Sequence, residues 1–204
     1  DEVIAAMAET PSVMPHLHLA VQSGSTRVLK AMNRRYTREQ YLELVSRLRS
    51  AMPDLALSTD VIVGFPGEEE EDFLQTLSLV REAAFSSAFT FIYSKRPGTP
   101  AAKIVDPTPH EVIQDRFDRL AEQVAQQAHD ANQKELGGSV LALVEGSSKR
   151  DEAVLVGHSE KNQTVHFSAP EGVDPISLVG RICEVHVDEA RTWYLRGTMV
   201  GDPR

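Results

Sequence analysis

One polar cluster that could bind a nucleotide-like ligand lies where an apolar run at 57–63 meets a turn. Asp60 belongs to this run, and its carboxylate can accept hydrogen bonds from ribose hydroxyls. Gly64 and Gly67 follow, and residues without a side chain let the backbone approach a ligand closely. Their spacing is not the Gly-x-Gly-x-x-Gly of dinucleotide-binding folds. A strand-to-helix turn without a ligand remains the alternative.

A second polar cluster follows the apolar run at 16–21, in the equivalent position. Gln22, Ser23 and Ser25 offer polar side chains to a ligand there. The guanidinium of Arg34, further along, can pair with a ligand carboxylate. The alternative is that Ser23 or Ser25 caps a helix and that Arg34 is solvated. The residue types alone leave both interpretations open.

Histidines and acids elsewhere do not have the spacing of a metal site. His16 and His18 alternate on one predicted strand and share a face, but no carboxylate or cysteine lies at a matching spacing. We interpret them as structural or substrate-lining residues. The acidic run at 68–72 is interpreted as the solvated first turn of a helix, where carboxylates face the positive end of the helix dipole. The sequence thus predicts no metal ligands in this chain.

The elements that position these residues alternate between strand-like and helix-like patterns. Three short apolar runs are present, at 16–21, 57–63 and 87–93. Amphipathic segments separate them, one of which opens with a capping box at Thr37 and Gln40. Strands that recur with helices between them indicate parallel βαβ units. A long helix is predicted over 108–136, and Gly137 is a typical helix end.

Beyond residue 138 the apolar period changes to two, which is typical of strands with one buried face. Five short strands are predicted, at 140–144, 153–156, 164–167, 181–187 and 193–199. So many strands in a short segment favour a small closed barrel, because closure leaves no free edge. The predicted domains are therefore 1–137 and 138–204. Phe167 and Trp193 could stack on bases, but a core position is the favoured interpretation for both.

The composition is typical of a soluble cytoplasmic protein. No run approaches the roughly 20 apolar residues that span a bilayer, and the chain opens with Asp1 and Glu2 instead of a basic signal-peptide region. Cys183 is the single cysteine, which indicates a reducing compartment, and we expect it to be a buried, inert thiol. The formal net charge of −9 argues mildly against RNA binding.

Four segments together resemble the methylthiotransferase branch of the radical S-adenosylmethionine (SAM) enzymes. They lie at 16–25, 28–34, 58–68 and 93–101. The tail at 141–200 is similar to the TRAM domain that ends these enzymes. The resemblance implies an α/β partial (β/α)₆ barrel, of which this chain holds the second half, followed by a small all-β TRAM barrel that binds RNA.

The resemblance also implies roles in SAM binding. Gln22 and Asp60 would hold the ribose, Arg34 would pair with the methionine carboxylate, and the backbone of Ile62 would face the adenine. The family's Cys-x-x-x-Cys-x-x-Cys motif is absent, and one cysteine cannot supply three thiolates to an iron–sulfur cluster. We therefore expect a fragment that begins inside the barrel, has no catalytic or metal-binding residues of its own, and is inactive alone.

The implied activity is the addition of a methylthio group to C2 of N6-dimethylallyladenosine in the tRNA anticodon loop. Two SAM molecules and two [4Fe–4S] clusters of the full-length protein would serve this reaction. The segment at 93–100 favours this substrate over the related alternatives, a threonylcarbamoyl adenosine or a ribosomal-protein aspartate. The alternative of another class is a non-catalytic RNA-binding module.

The implied partner is tRNA, with no membrane partner. An acidic chain needs a local basic patch for this, because charges beyond about 8–10 Å are screened. Lys149 and Arg150 lie on a predicted turn between two strands of the tail, and we expect them to contact phosphates. Ser94 and Arg96 are expected to contact the substrate near the mouth of the barrel.

Overall fold

The computed structural model describes residues 1–203 and divides the chain into two compact units. The first contains Asp1–Glu9 and Leu17–Gln127, and the second contains Thr10–His16 and the chain from Ala128 onward. The division falls within the last helix, several residues before the period changes in the sequence. The boundary at residue 137 drawn from that change stays a prediction.

The first unit consists of parallel strands alternating with helices. Its elements are α1 (Glu2–Glu9), β1 (His16–His18), α2 (Thr26–Ala31), α3 (Arg38–Ala51), β2 (Ala56–Val63), α4 (Glu70–Ala83), β3 (Ser87–Ile92) and the first part of α5 (His110–Gln133). The sheet order is β1-β2-β3, and β2 pairs in parallel with β3 from Ser58↔Ser87 to Val63↔Ile92. The predicted parallel β/α architecture is confirmed. The first strand is shorter than the apolar run suggests, although Leu19 still donates to the carbonyl of Ser58 at 2.8 Å.

The predicted capping box begins α3. The Thr37 hydroxyl accepts from the amide of Gln40 at 3.3 Å, and the Gln40 side chain accepts from the amide of Thr37 at 2.9 Å. Caps of this kind satisfy amides that have no partner within the helix and contribute about 1 kcal/mol. The helix then buries Tyr41, Val45 and Leu48 at helical spacing.

The two faces of β2 have different surroundings. Leu57, Val61 and Val63 are buried in the core of the first unit. The other core side chains come mainly from three helices: Val45 and Leu48 of α3, Phe73 and Leu79 of α4, and Leu120 and Val124 of α5. Asp60 and Ile62 alternate with the buried residues and are only partly covered. One face of β2 therefore packs in the core, and the face that carries Asp60 and Ile62 is only partly covered by other side chains.

The loop after β1 lies directly against α4, and Gly24 makes this contact possible. A Cβ on Gly24 would lie 2.4 Å from the Cα of Thr76 and 2.5 Å from the carbonyl oxygen of Gln75. The amide of Gly24 donates to the Thr76 hydroxyl at 2.9 Å. Only a residue without a side chain allows this approach. The position of Gln22, two residues earlier, depends on the same contact.

The second unit contains a closed five-stranded barrel, as predicted. Its strands are β4 (Ser139–Ser148), β5 (Asp151–Ser159), β6 (Thr164–Ser168), β7 (Ile182–Ala190) and β8 (Leu195–Val200). Their order around the barrel is β4-β5-β6-β8-β7, with β6 and β8 parallel and the other pairs antiparallel. Closure leaves no strand with unpaired backbone groups on its edge.

The barrel core confirms two predicted positions and corrects a third. Phe167 and Cys183 are buried inside, and burial raises the pKa of the Cys183 thiol, which disfavours the reactive thiolate. Trp193 is 60% exposed, so the interpretation of it as a core residue was wrong. The inward residues of β8 begin at Leu195, whereas Trp193 lies on the turn closed by the Arg191 amide and the Tyr194 carbonyl.

No helix within residues 1–203 combines the length and the apolar character that crossing a membrane requires.

We expect Gly24→Ala to destabilise the first unit by about 1–3 kcal/mol, because the new methyl group must displace the backbone of α4. The measurement is chemical unfolding followed by far-UV circular dichroism, which reports the helices. Tryptophan fluorescence reports the second unit, which holds the single tryptophan. Gly146→Ala is the control, because a Cβ there meets nothing within 4 Å. Equal circular dichroism midpoints for both variants would contradict the prediction.

Candidate functional site

One cavity of about 900 Å³ in the first unit gathers the residues to which the sequence assigned ligand contact. Its lining includes Gln22, Arg34, Asp60 and Ile62, the four residues predicted for SAM. Ser94 and Arg96 line it as well. Segments distant in the sequence therefore meet at one place. Their roles in binding remain predictions.

Gln22 is fixed beside β2 by its backbone. Its amide donates to the carbonyl of Asp60 at 2.9 Å, and its carbonyl accepts from the amide of Ile62 at 2.8 Å. These bonds form a parallel bridge to Val61, so Gln22 and Asp60 lie next to each other, although Gln22 follows β1 and is not part of it. The φ of Gln22 is 68°, a left-handed conformation that costs a residue with a side chain roughly 1–2 kcal/mol. Such strain is held by surrounding contacts and is common at ligand sites.

The Asp60 carboxylate is paired with a histidine and still open to solvent. Oδ2 of Asp60 lies 3.5 Å from Nε2 of His18, and the Asp60 side chain is 32% exposed. The other ring nitrogen of His18, Nδ1, lies 3.1 Å from the Ser58 hydroxyl. Within residues 1–203 no group of three His, Cys, Asp or Glu side chains could hold a metal ion. His18 is thus positioned by Ser58 and Asp60 at the edge of the cavity.

Arg34 reaches the cavity through a tight turn at the end of α2. Asn33 has a left-handed φ of 60°, and the amide of Arg34 returns to the carbonyl of Leu29 at 2.9 Å. The guanidinium has no acidic partner in the part of the chain that the structure describes. A free, exposed guanidinium suits a ligand carboxylate, which it can bind with two parallel hydrogen bonds.

The backbone of Ile62 offers one polar group to a ligand. Its amide is already used by Gln22, so only the carbonyl is left to accept from a ring amino group. The Ile62 side chain lines the same cavity and provides an apolar contact for a flat ring. This arrangement fits the predicted position beside an adenine.

Ser23 and Ser25 have structural roles, unlike Gln22. Both are buried, and the Ser25 hydroxyl accepts from the amide of Val28 as the N-cap of α2. The same hydroxyl donates to Oδ1 of Asp72 at 2.6 Å. The sequence left two interpretations of this cluster open, a helix cap and a ligand contact. Ser25 is the helix cap, whereas Gln22 lies in the cavity wall.

The acidic run at 68–72, which we predicted to be solvated, contains two buried acids, and Asp72 is one of them. It is 4% exposed and accepts from Nε of Arg27 at 3.2 Å and from the amide of Glu69 at 2.8 Å. Burial opposes its charge, but the hydrogen bonds from Arg27 and Ser25 outweigh burial and lower the pKa of Asp72. Arg27 also donates to the carbonyl of Gly67 at 2.8 Å, so Asp72 joins the loops on both sides of β2.

Glu68 is the other buried acid, at 3% exposure. Its Oε2 accepts from the amide of Gly64 at 2.8 Å and lies 3.5 Å from Nη1 of Arg116. Burial raises the pKa of Glu68 to about 7, against the opposing effects of the Gly64 amide and Arg116. Oε1 has no hydrogen-bond partner among the described residues. The solvated interpretation was wrong for Glu68 and Asp72, because their arginine partners lie far away in the sequence.

Glu68 supports the wall of the cavity through Gly64. The backbone of Gly64 has a φ of +68°, and a Cβ there would lie 2.6 Å from Ile113. Phe65, the next residue, packs edge-on against Tyr93 with ring centroids 5.2 Å apart, and both rings line the cavity. The bond from Gly64 to Glu68 therefore holds this aromatic pair in position.

The predicted RNA contacts of the second unit lie on an exposed turn. Lys149 and Arg150 connect β4 and β5, and both are exposed. The amide of Arg150 donates to the Ser148 hydroxyl at 3.3 Å, which orders the turn. Neither side chain has an acidic partner within residues 1–203. Both charges are therefore available to a phosphate.

The raised pKa of Glu68 gives a pH dependence with a definite sign. Its usual pKa is 4.5, so the folded state binds the proton more tightly than the unfolded state does. Relative to Glu68→Gln, wild-type stability should therefore fall by about 1–3 kcal/mol as the pH rises from about 4.5 to about 8. Denaturant titrations of both proteins across this range measure the difference. A constant difference would show that Glu68 keeps an ordinary pKa in the folded protein.

Comparisons with known proteins agree with this architecture. Residues 1–80 match the family model of the radical SAM superfamily, and residues 133–200 match that of the TRAM domain. Coproporphyrinogen III oxidase from Escherichia coli, described as a radical SAM enzyme, superimposes with a TM-score of 0.51 at 13% identity. The match covers 92% of this chain and 44% of that chain. This likeness shows the fold alone.

Curated relatives are much more similar in sequence. The tRNA-2-methylthio-N(6)-dimethylallyladenosine synthases of Oceanobacillus iheyensis and Geobacillus kaustophilus are 49% and 48% identical, over 98% and 99% of this chain. The synthase of a Nocardioides species is 53% identical over 85%. The chain spans 38%, 37% and 36% of their respective lengths. It therefore joins a radical SAM segment to a TRAM domain, and it is homologous over nearly its whole length to part of the tRNA-2-methylthio-N(6)-dimethylallyladenosine synthases.

Proposed function

We propose that this chain works within a longer radical SAM methylthiotransferase that adds a methylthio group to C2 of N6-dimethylallyladenosine in the tRNA anticodon loop. One observation carries the proposal: Gln22, Arg34, Asp60 and Ile62 line a single cavity in a chain homologous to such synthases. These relatives are tRNA-2-methylthio-N(6)-dimethylallyladenosine synthases, which favours this substrate over a threonylcarbamoyl adenosine or a ribosomal-protein aspartate.

The cavity has the donor and acceptor groups that SAM requires. The free guanidinium of Arg34 suits the methionine carboxylate, and the open carboxylate of Asp60 suits ribose hydroxyls, with Gln22 beside it. The carbonyl of Ile62 can accept from the adenine amino group. When bound, SAM supplies radical chemistry and a methyl group to the full-length enzyme. The residues of this chain bind and orient it.

An iron–sulfur cluster does not fit the residues of this chain. A [4Fe–4S] centre of this kind needs three thiolates, and Cys183 is the single cysteine and lies buried in the barrel. We propose that the ligands of both clusters belong to other parts of the full-length protein. The chain alone should therefore be inactive, and we assign no catalytic or metal-binding residue within it.

We propose tRNA as the partner and the cytoplasm as the compartment. The TRAM match and the exposed charges of Lys149 and Arg150 support contact with RNA phosphates, which position an RNA without reading its sequence. Ser94 and Arg96 line the cavity and are proposed to contact the substrate there. A non-catalytic RNA-binding module is the competing function, and the SAM measurement below separates the two.

Arg34→Ala should weaken SAM binding about 10- to 100-fold, because a hydrogen-bonded charge pair is lost. Asp60→Ala should weaken it by a similar factor. Equilibrium dialysis of SAM against the cluster-loaded, full-length protein measures this. Lys30→Ala is the control, because Lys30 is an exposed cation on α2, four residues before Arg34, and does not line the cavity. Equal affinities for the Arg34 and Lys30 variants would reject the assignment, and no SAM binding by the wild type would favour the RNA-binding module.

Replacing Lys149 and Arg150 together by alanine should weaken tRNA binding by about 1–3 kcal/mol and lower the salt slope by nearly two units. The effect should be alike for different tRNA sequences, because phosphates carry no sequence information. A salt titration of tRNA affinity in the full-length protein measures the slope. The variant Lys149→Arg/Arg150→Lys keeps both charges and should behave like the wild type. An unchanged slope in the alanine variant would mean that this turn does not contact phosphates.

A further inference from the structure

The sheet of the first unit has an open face with aromatic residues beside the cavity. In the register of β2 and β3, Phe89 is the partner of Asp60 and Phe91 is the partner of Ile62. Partnered residues of neighbouring strands point to the same side of a sheet. Phe89 is 60% exposed and Phe91 is 50% exposed, although both lie within a strand. We call His18, Asp60, Ile62, Phe89 and Phe91 the open face.

The two phenyl rings differ in their surroundings. Phe91 lines the same cavity as Asp60 and Ile62. Phe89 lies against His18, with ring centroids 6.2 Å apart and planes tilted by 57°. Single exposed apolar side chains are ordinary, but adjacent aromatic rings at the border of a polar cavity are typical of a binding surface. Phe91 is thus placed at the cavity, and Phe89 extends the aromatic surface away from it.

The charges of the open face limit what can bind there. Asp60 and His18 are its titratable groups, and they form a pair with each other. Among these five residues there is thus no unpaired cation for a phosphate, and the carboxylate of Asp60 is already assigned to the ribose of SAM. Aromatic rings instead stack on nucleobases and bury apolar groups. The face fits a flat base that carries an apolar substituent.

We propose that Phe91, extended by Phe89, determines substrate specificity by receiving the dimethylallyl-substituted adenine of the RNA next to the SAM-binding residues. This inference rests on the proposed function. The polar lining of the cavity is assigned to SAM, and Phe91 lines the same cavity, so a base stacked on Phe91 would lie next to those polar groups. An adenine with a dimethylallyl group has both chemical features that the aromatic surface selects, and unmodified adenine lacks one of them.

The test compares the affinities of the full-length, cluster-loaded protein for two synthetic RNA stem-loops. One carries N6-dimethylallyladenosine, and the other carries adenosine at the same position. Phe91→Ala should reduce the preference for the prenylated RNA about tenfold, because the apolar contact is lost. Phe91→Leu keeps an apolar side chain, is less disruptive to β3, and should retain part of the preference. Leu74→Ala is the control, since Leu74 is 44% exposed on α4 and does not line the cavity.

The outcomes separate this inference from the proposed function. If the wild type neither methylthiolates nor prefers the prenylated RNA, the proposed function fails. If the wild type does both and the Phe91 variants keep the full preference, the specificity role of Phe91 is overturned. Equal weakening for both RNAs would also overturn it, because that result indicates a general base platform or a surface covered by another part of the longer protein. Unchanged SAM affinity in the variants confirms that the cavity remains folded.

Discussion

Two buried carboxylates hold the loops that border the cavity. Asp72 receives hydrogen bonds from Ser25 in one loop and from the amide of Glu69 in the other, while Arg27 links it to the carbonyl of Gly67. Buried charges are costly unless each is paired and hydrogen-bonded, and Asp72 meets both conditions. Because the pairs join separate segments, they fix the loops relative to the sheet. Gln22, in the loop that Ser25 anchors, is held against β2 by its own backbone bonds to Asp60 and Ile62.

Glu68 also joins separate segments, but its hydrogen bonding is less complete than that of Asp72. It accepts from the Gly64 amide and lies near Arg116, but one oxygen has no partner among the described residues. An incompletely satisfied buried carboxyl favours its neutral form, which explains the direction of its pKa. The Glu68 carboxyl lies where the chain turns at Gly64, next to the contact between Phe65 and Tyr93.

The cavity and the adjoining open face present polar and apolar groups from neighbouring segments of the first unit. The guanidinium comes from the turn after α2, the carboxylate and carbonyl come from β2, and the exposed phenyl rings come from β3. The barrel of the second unit is organised differently, because its core is apolar and the two cations Lys149 and Arg150 are exposed on a turn. A chain with a net charge of −9 can in this way still present an isolated basic turn to RNA.

The residue types and the family resemblance together suggested roles for Gln22, Arg34, Asp60 and Ile62, and the tertiary structure brought these residues to one cavity. The sequence by itself determined the parallel β/α pattern, the capping box at Thr37 and the five-stranded barrel. These features are local, because hydrophobic period, cap chemistry and turn residues act over a few positions. Only the tertiary structure decided that Asp72 and Glu68 are buried, since Arg27 and Arg116 lie 45 and 48 residues away from them. It also decided that Trp193 is exposed on a turn and that Phe91 stands beside Asp60 and Ile62. Pairing between distant segments depends on how the elements pack, and no local pattern encodes it.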